Sequence, residues 1–411
     1  MFVLLVLVSL LFVWTLVSER MARWNITAPI AFAVAGVVLA GGAHPAISLD
    51  LETHLFQRGV ELVLAVMLFT DATEARDDES LDQSLGGRRL LGLALPASVV
   101  LAIVFGAALF PGTSWWLLAV AALVVMPTDL APVQSFLRDE RVPLRVRAAL
   151  NIEGGFNDGL ISPLFVFCVA NLTNAKGDSF TDLVLNALKG AVFAVLVGSA
   201  VGVLAAFLVR RCLEAGWAGP AGLRLAGLTL PFLTYAAAVL IGGNGFVAAF
   251  ITGLCYARTA HAIGHHSLEL AHDASHVMAL AVWFAFGKLT ADEFVQDGLD
   301  WPVIGYALLA LTVARIVPVY ATLSGIGFGH AERAAVGWLG SRGVTSIVFA
   351  ILAYVQLPFG EAVFVFNLTC ATVLLSVILH GVTMEPIARW FARNPRPTAP
   401  AAPAAPTTPA Q

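Results

Sequence analysis

The stretch "NIEGGFNDGLISPLFVFCVA", Asn151 to Ala170, decides the fold. Its second half is apolar enough to run through a bilayer. Its first half places Glu153, Asn157 and Asp158 about a turn inside the same helix. A charged side chain at the centre of a span costs roughly 2.5–3.5 kcal/mol on insertion scales, so acids at this depth mark a pairing or a pathway.

The surroundings of the stretch repeat its hydropathy. The chain has 411 residues, of which 59% are hydrophobic and 12% charged, and its mean hydropathy is +0.85. Apolar runs recur along most of it, which predicts an all-α polytopic membrane protein. About 13 transmembrane helices are expected, at 2–18, 26–43, 58–75, 89–110, 115–137, 144–170, 184–210, 222–242, 244–260, 272–289, 302–324, 334–357 and 362–385. The ninth is set apart from the eighth only by "NG". The opening "MFVLLVLVSLLFVWTLVSER" lacks a positive n-region and a small-residue cleavage site, so it reads as a retained first span. Residues 1–393 form one transmembrane domain, and the Pro/Ala-rich tail 394–411 is expected to be disordered.

The basic residues fix a direction. Seventeen of the 23 lysines and arginines fall in loops of one parity or at the C-terminal end. Four fall on the other side, and Arg315 and Arg342 lie inside spans. Positive loops favour the cytoplasm, which puts the N-terminus outside and the C-terminus in the cytoplasm. A net charge of −4 gives no sign of a nucleic-acid partner. Cys168, Cys212, Cys255 and Cys370 lie in or beside apolar spans without a C-x-x-C spacing and read as packing residues. No cofactor is expected. An intramembrane hydrolase lacks its motif, because "GWLGSRG" puts Leu339 two before Ser341.

The chain also echoes itself. A shift of 213 residues carries the starts of spans 3 and 4 onto 271 and 302, where spans 10 and 11 begin, and carries Asp129 onto Arg342. The shift crosses an odd number of spans, so the second copy is inverted. Inverted repeats with discontinuous helices are a feature of secondary transporters.

The intramembrane charges are few: Asp71, Asp129, Glu153, Asp158, Arg315 and Arg342, with Glu74 nearer a span end. Acids outnumber arginines, so at least one acid should hold a proton or a cation. In span 5, "VVMPTDLAP", Pro127 removes an amide donor and helical continuity should fail near Thr128 and Asp129. Either residue can cap the next half-helix. Alternatively, unwound carbonyls and the Asp129 carboxylate face a cavity. In span 12, Gly340 and Gly343 flank Arg342 and permit a second break, which would bring Arg342 opposite Asp129. In span 6, Glu153 and Asn157 share a helix face and Asp158 is turned by about 100° from Asn157. Glu153 suits a structural pair with an intramembrane arginine, while Asp158, less compensated, suits exchange between a proton and a metal ion. A single exchanging carboxylate argues for one charge carried each way. His261, His265, His266, His272 and His276 lack a zinc-site spacing and read as a solvated loop with a pH-modulating role.

"LFTDA", "PTD", "RDERVPLRVRAALNIEGGFNDG", "ARIVPVY" and "GSRG" occur in this order across spans 3 to 12. Together they resemble the electroneutral monovalent cation:proton antiporters, the NhaP and NHE-like sodium/proton exchangers. The resemblance implies thirteen spans in two inverted six-helix repeats with crossing broken helices, the NhaA-like antiporter fold. It further implies a core domain of about spans 3–6 and 10–13, a dimerisation domain from the rest, and a homodimer. Carried over, Asp158 alternates between cation and proton, with Asn157, Thr128, Asp129 and Asp71 around it. Asp158 and Asp129 meet the transported monovalent cation. Glu153 pairs with Arg315, and Arg342 supplies the charge at the broken helix. Two positions depart from the family pattern: Gly154 stands where many relatives carry Ser, and Leu130 where Pro is frequent.

The expectation is an antiporter of a bacterial inner membrane, exchanging Na⁺ or Li⁺ for H⁺ one for one by alternating access. A K⁺/H⁺ antiporter of the same fold and a sodium-coupled solute symporter are the alternatives.

Overall fold

The computed structural model describes residues 2–24, 27–42, 45–47, 53–74, 81–129, 134–174, 177, 179–263, 267–294 and 300–394. The Pro/Ala-rich tail beyond Asn394 lies outside the described residues.

Among these residues every predicted span is helical. Spans 1 to 3 are Phe2–Ala22, Ala28–Ala40 and His54–Glu74. Span 4 begins as Leu81–Arg89, passes through a π turn at Leu90–Ala94 and continues as Leu95–Leu109. Span 5 is split into Trp115–Val125 and Gln134–Leu137. Span 6 is the unbroken helix Leu144–Leu172. Spans 7 to 9 are Phe180–Glu214, Pro220–Leu240 and Gly245–Ile263. Span 10 is Glu269–Leu289, extended by a π turn at Thr290–Phe294. Span 11 is Trp301–Leu311 followed by Val313–Thr322. Span 12 is split into His330–Trp338 and Val344–Gln356, and span 13 is Phe359–Arg393. Eight of the described helices are long and apolar enough to cross a bilayer by length and composition, and four shorter apolar helices accompany them. Only a helix satisfies its own backbone in lipid, which is why hydropathy alone locates these elements.

The short link between spans 8 and 9 works because of two residues. Gly242 turns the chain at φ +77°, a left-handed conformation that glycine adopts without cost. Asn244 then caps span 9, its Oδ1 accepting from the N–H groups of Phe246 and Val247 at 3.0 and 3.2 Å.

Small residues set the helix contacts, because apolar area alone does not drive association in lipid. Spans 2 and 10 approach through Gly36 and Gly287. A Cβ at Gly36 would fall on the carbonyl of Phe284, and one at Gly287 on the carbonyl of Ala33. Span 7 lies on span 9 in the same way, a Cβ at Gly198 coming within 2.6 Å of the Ala248 carbonyl. Span 9 lies on span 3, where Gly253 faces the Phe69 carbonyl. Spans 1–3 and 7–10 thus pack mainly among themselves, and spans 4–6 and 11–13 pack around the two interruptions.

Candidate functional site

The two interrupted helices cross, and each holds the other's free ends. Span 5 loses its helix after Val125, where Pro127 has no amide to offer. Span 12 loses its helix between Trp338 and Val344. The Asp129 N–H donates to the Ser341 carbonyl at 2.8 Å, and the Ser341 hydroxyl donates back to the Asp129 carbonyl. Arg342, fully buried, reaches the C-terminal end of the first half of span 5 and donates from Nη1 to the carbonyls of Met126 and Pro127. Asp129 reaches the N-terminal end of the second half of span 12, accepting from the Val344 N–H at 2.6 Å on Oδ2.

The sequence predicts Arg342 opposite Asp129; the structure places each on a terminus of the other's helix instead. The reason is the helix dipole, which favours a cation at free carbonyls and an anion at free N–H groups. Glycines flank Arg342 for close approach: a Cβ at Gly343 would fall on the Asp129 carboxylate, and one at Gly340 would come within 2.5 Å of Arg315 Nε. The residue pair matched by the internal shift therefore meets at one point in space.

Span 6 passes beside this crossing with its polar residues buried. Glu153 and Arg315 are 0% and 1% exposed and form a two-pronged ion pair, with Arg315 Nη2 donating to Oε2 at 2.6 Å and Nη1 to Oε1. Asn157, one turn on, donates its amide hydrogens to the Thr128 carbonyl at 2.6 Å and hydroxyl at 2.9 Å. A carbonyl can only accept, so this contact fixes which end of the amide is nitrogen. Its Oδ1 is buried without a hydrogen-bond partner, and so is Oδ1 of Asp158, which is 4% exposed. Two neighbouring residues thus present unpartnered buried oxygens, one on a carboxylate. Such a set can take up a proton or a bare cation.

A cavity of about 330 Å³ leads to this place from the side of the arginine-rich loops. Arg138, Leu144 and Arg147 stand at its mouth. One wall comes from span 3 (Thr70, Asp71, Glu74) and span 10 (His272, His276, Ala279). The other comes from Thr128 and Asp129 of span 5, Gly154 and Asp158 of span 6, and Val344 and Thr345 of span 12. Asp71 is half-buried on the first wall, across from Asp158. At the far end of span 10, the π turn ties elements together: the Tyr354 hydroxyl donates to Glu293 at 2.7 Å and the Gly42 N–H to Asp292 at 2.9 Å.

All eight charged or polar residues expected at the site are therefore found at the crossing or on its cavity. The histidines are a correction. His272 and His276 are not in a solvated loop; they sit in the first turns of span 10 and line the cavity, with His272 Nδ1 3.1 Å from Glu74 Oε1. The helix starts earlier than its apolar run because Glu269 suits the positive end of a helix. His261 lies on the span 9 helix, and His265 and His266 fall outside the described residues. Thr345, on the cavity, escapes the sequence reading because a lone hydroxyl inside an apolar helix is commonplace. Its position in the first turn after a predicted break is the one clue.

Among the described residues, the helical spans, the two crossing interruptions and a buried carboxylate at the end of a cavity define a class, that of polytopic membrane proteins built on an inverted repeat, an arrangement found in secondary transporters. The chain belongs to the sodium/hydrogen exchanger transmembrane family, whose profile matches residues 3–390. It is 25% identical to the K(+)/H(+) antiporter NhaP of Alkalimonas amylolytica over 281 residues, 68% of this chain and 48% of that protein. It is 26% identical to the uncharacterized Na(+)/H(+) exchanger YjcE of Escherichia coli, over 79% of this chain and 58% of that one. The chain spans about half the length of the curated relatives it matches first. Its fold is similar to that of the sodium proton antiporter MjNhaP1 from Methanocaldococcus jannaschii, with a TM-score of 0.74 at 18% identity, covering 94% of this chain and 97% of that one.

Proposed function

We propose that the chain is a secondary antiporter that exchanges Na⁺ or Li⁺ for H⁺, one for one, by alternating access. One observation carries this reading. Of the two acids of span 6, Glu153 is neutralised by Arg315, while Asp158 ends an open cavity with an oxygen that has no partner. Competition does the coupling: a proton and a cation cannot occupy the same carboxylate together. Each tenfold concentration ratio then supplies about 1.4 kcal/mol to drive the other species. Asn157, the residue before Asp158, has its amide held by Thr128. Asp129 and Asp71 add negative potential along the path, and Arg342 keeps the crossing in place.

The packing supports a core narrower than the spans 3–6 and 10–13 that the resemblance implies, namely spans 4–6 and 11–13, moving against the remaining spans, because spans 3 and 10 form the opposite wall of the cavity. With arginine-rich loops in the cytoplasm, the N-terminus is outside, the C-terminus is inside and the cavity faces inward. The working unit in this reading is a homodimer in a bacterial inner membrane, as the family resemblance implies.

The test is a reconstituted proteoliposome with an imposed pH difference. Na⁺ or Li⁺ should collapse the difference with wild-type protein, and Asp158→Asn should abolish the response. Retained exchange in Asp158→Asn refutes the assignment. The name of the Alkalimonas relative favours a second reading, K⁺ for H⁺; collapse by K⁺ alone in the same vesicles selects it.

A further inference from the structure

Span 13 carries Ser376, His380 and Thr383 on one helix face. All three touch the interruption of span 12. The Ser376 hydroxyl oxygen accepts from the backbone N–H of Arg342 at 2.7 Å. His380 Nε2 lies 2.6 Å from the carbonyl of Trp338. Thr383 Oγ1 accepts from the indole N–H of the same tryptophan at 2.8 Å.

The ring of His380 is 1% exposed and both its nitrogens are committed. A carbonyl only accepts, so Nε2 carries a proton whatever the charge of the ring. Nδ1 sits 2.9 Å from the Ser376 hydroxyl and 2.8 Å from the Ser376 carbonyl. Trp338 is the last residue of the first half of span 12, where the helix leaves carbonyls without an intrahelical donor. Arg342 is the residue that holds the Met126 and Pro127 carbonyls beside Thr128 and Asp129. Span 13 therefore grips the break on both edges, at its last helical carbonyl and at the amide of its arginine.

We propose that His380 is a positioning residue for the exchange: its Nε2–H fixes the end of the first half of span 12, and so sets the place of Arg342 and of the Thr128–Asp129 segment beside Asp158. This role rests on the antiport reading above. His380 meets neither cation nor transported proton; it acts through the crossing.

The experiment compares wild type with His380→Gln, whose amide nitrogen reaches the Nε2 position, and His380→Leu, which fills the space without a donor. Cation-driven collapse of the pH difference is measured in proteoliposomes over a range of Na⁺ and K⁺ concentrations, with monodispersity in detergent as the fold control. The Gln variant should stay within about threefold of the wild-type maximal rate. The Leu variant should fall about tenfold or more, a barrier increase of about 1.4 kcal/mol, with little change in apparent KM. A Leu variant as fast as wild type, or a Gln variant as slow as Leu, overturns the proposal. If Leu does not fold, His380→Asn takes its place. Its amide reaches only the Nδ1 partners, so it should be as slow as expected for Leu, and Asn performing like Gln overturns the role. Wild-type vesicles without exchange would sink the antiport reading and this role with it, whereas indifferent variants in active vesicles sink this role alone.

Discussion

At the scale of single residues, the site sorts its charges by partner. Glu153 is matched by Arg315 on two hydrogen bonds with both side chains out of water. Removing one member of a buried pair strands the other, which costs about 3–5 kcal/mol, whereas replacing both with apolar residues is often close to neutral. Arg315→Leu and Glu153→Leu alone should each lower the melting temperature sharply, and the double substitution should recover much of the loss. Melting in detergent, followed by tryptophan fluorescence, checks this; additive losses in the double variant would contradict it. These residues were legible in the sequence because a charge in an apolar run has no bland explanation at that cost. Ser376 and His380 were not, because a hydroxyl or a ring in a helix can bond its own preceding turn, and only the fold shows that they face the break in span 12. The cross-capping by Asp129 and Arg342 was half legible. Their positions follow from the internal shift, but which backbone ends they meet depends on how two chain segments pass in space.

At the scale of elements, the hydropathy placed every span, and the two breaks followed from Pro127 and from the glycines around Arg342. The π turns in spans 4 and 10 left no signal, since they alter the winding of a helix and not its composition. Neither did the partners of spans 3 and 10, because packing in lipid is set by where small residues let backbones meet. The seam between spans 2 and 10 makes this testable. Gly36→Ile or Gly287→Ile would drive a side chain into a carbonyl of the opposite helix. Overpacking of this kind costs about 1–3 kcal/mol or more. Both variants should show lower melting temperatures and a loss of monodisperse protein on gel filtration. Gly59→Ala, where a Cβ meets nothing within 4 Å, serves as the control. Equal behaviour of the seam and control variants would mean that this contact does not hold the bundle together.

At the scale of the whole molecule, the cavity divides one group of spans from the other and ends at Asp158, whose Oδ1 has no hydrogen-bond partner. The reciprocal arrangement at the crossing has an electrical consequence. Glu153 is offset by its partner Arg315, and the carboxylate of Asp129 by the guanidinium of Arg342 at the same crossing, so these four side chains beside Asp158 carry no net charge. A fixed charge dragged across the membrane field would cost or release about 2.3 kcal/mol per 100 mV. Under the exchange proposed above, Asp158 is neutral with either a proton or a monovalent cation bound, so the crossing carries the same net charge in both directions. Clamping the voltage across a planar bilayer should therefore leave the turnover rate unchanged, and Arg342→Gln, if it folds, should make the same rate depend on voltage.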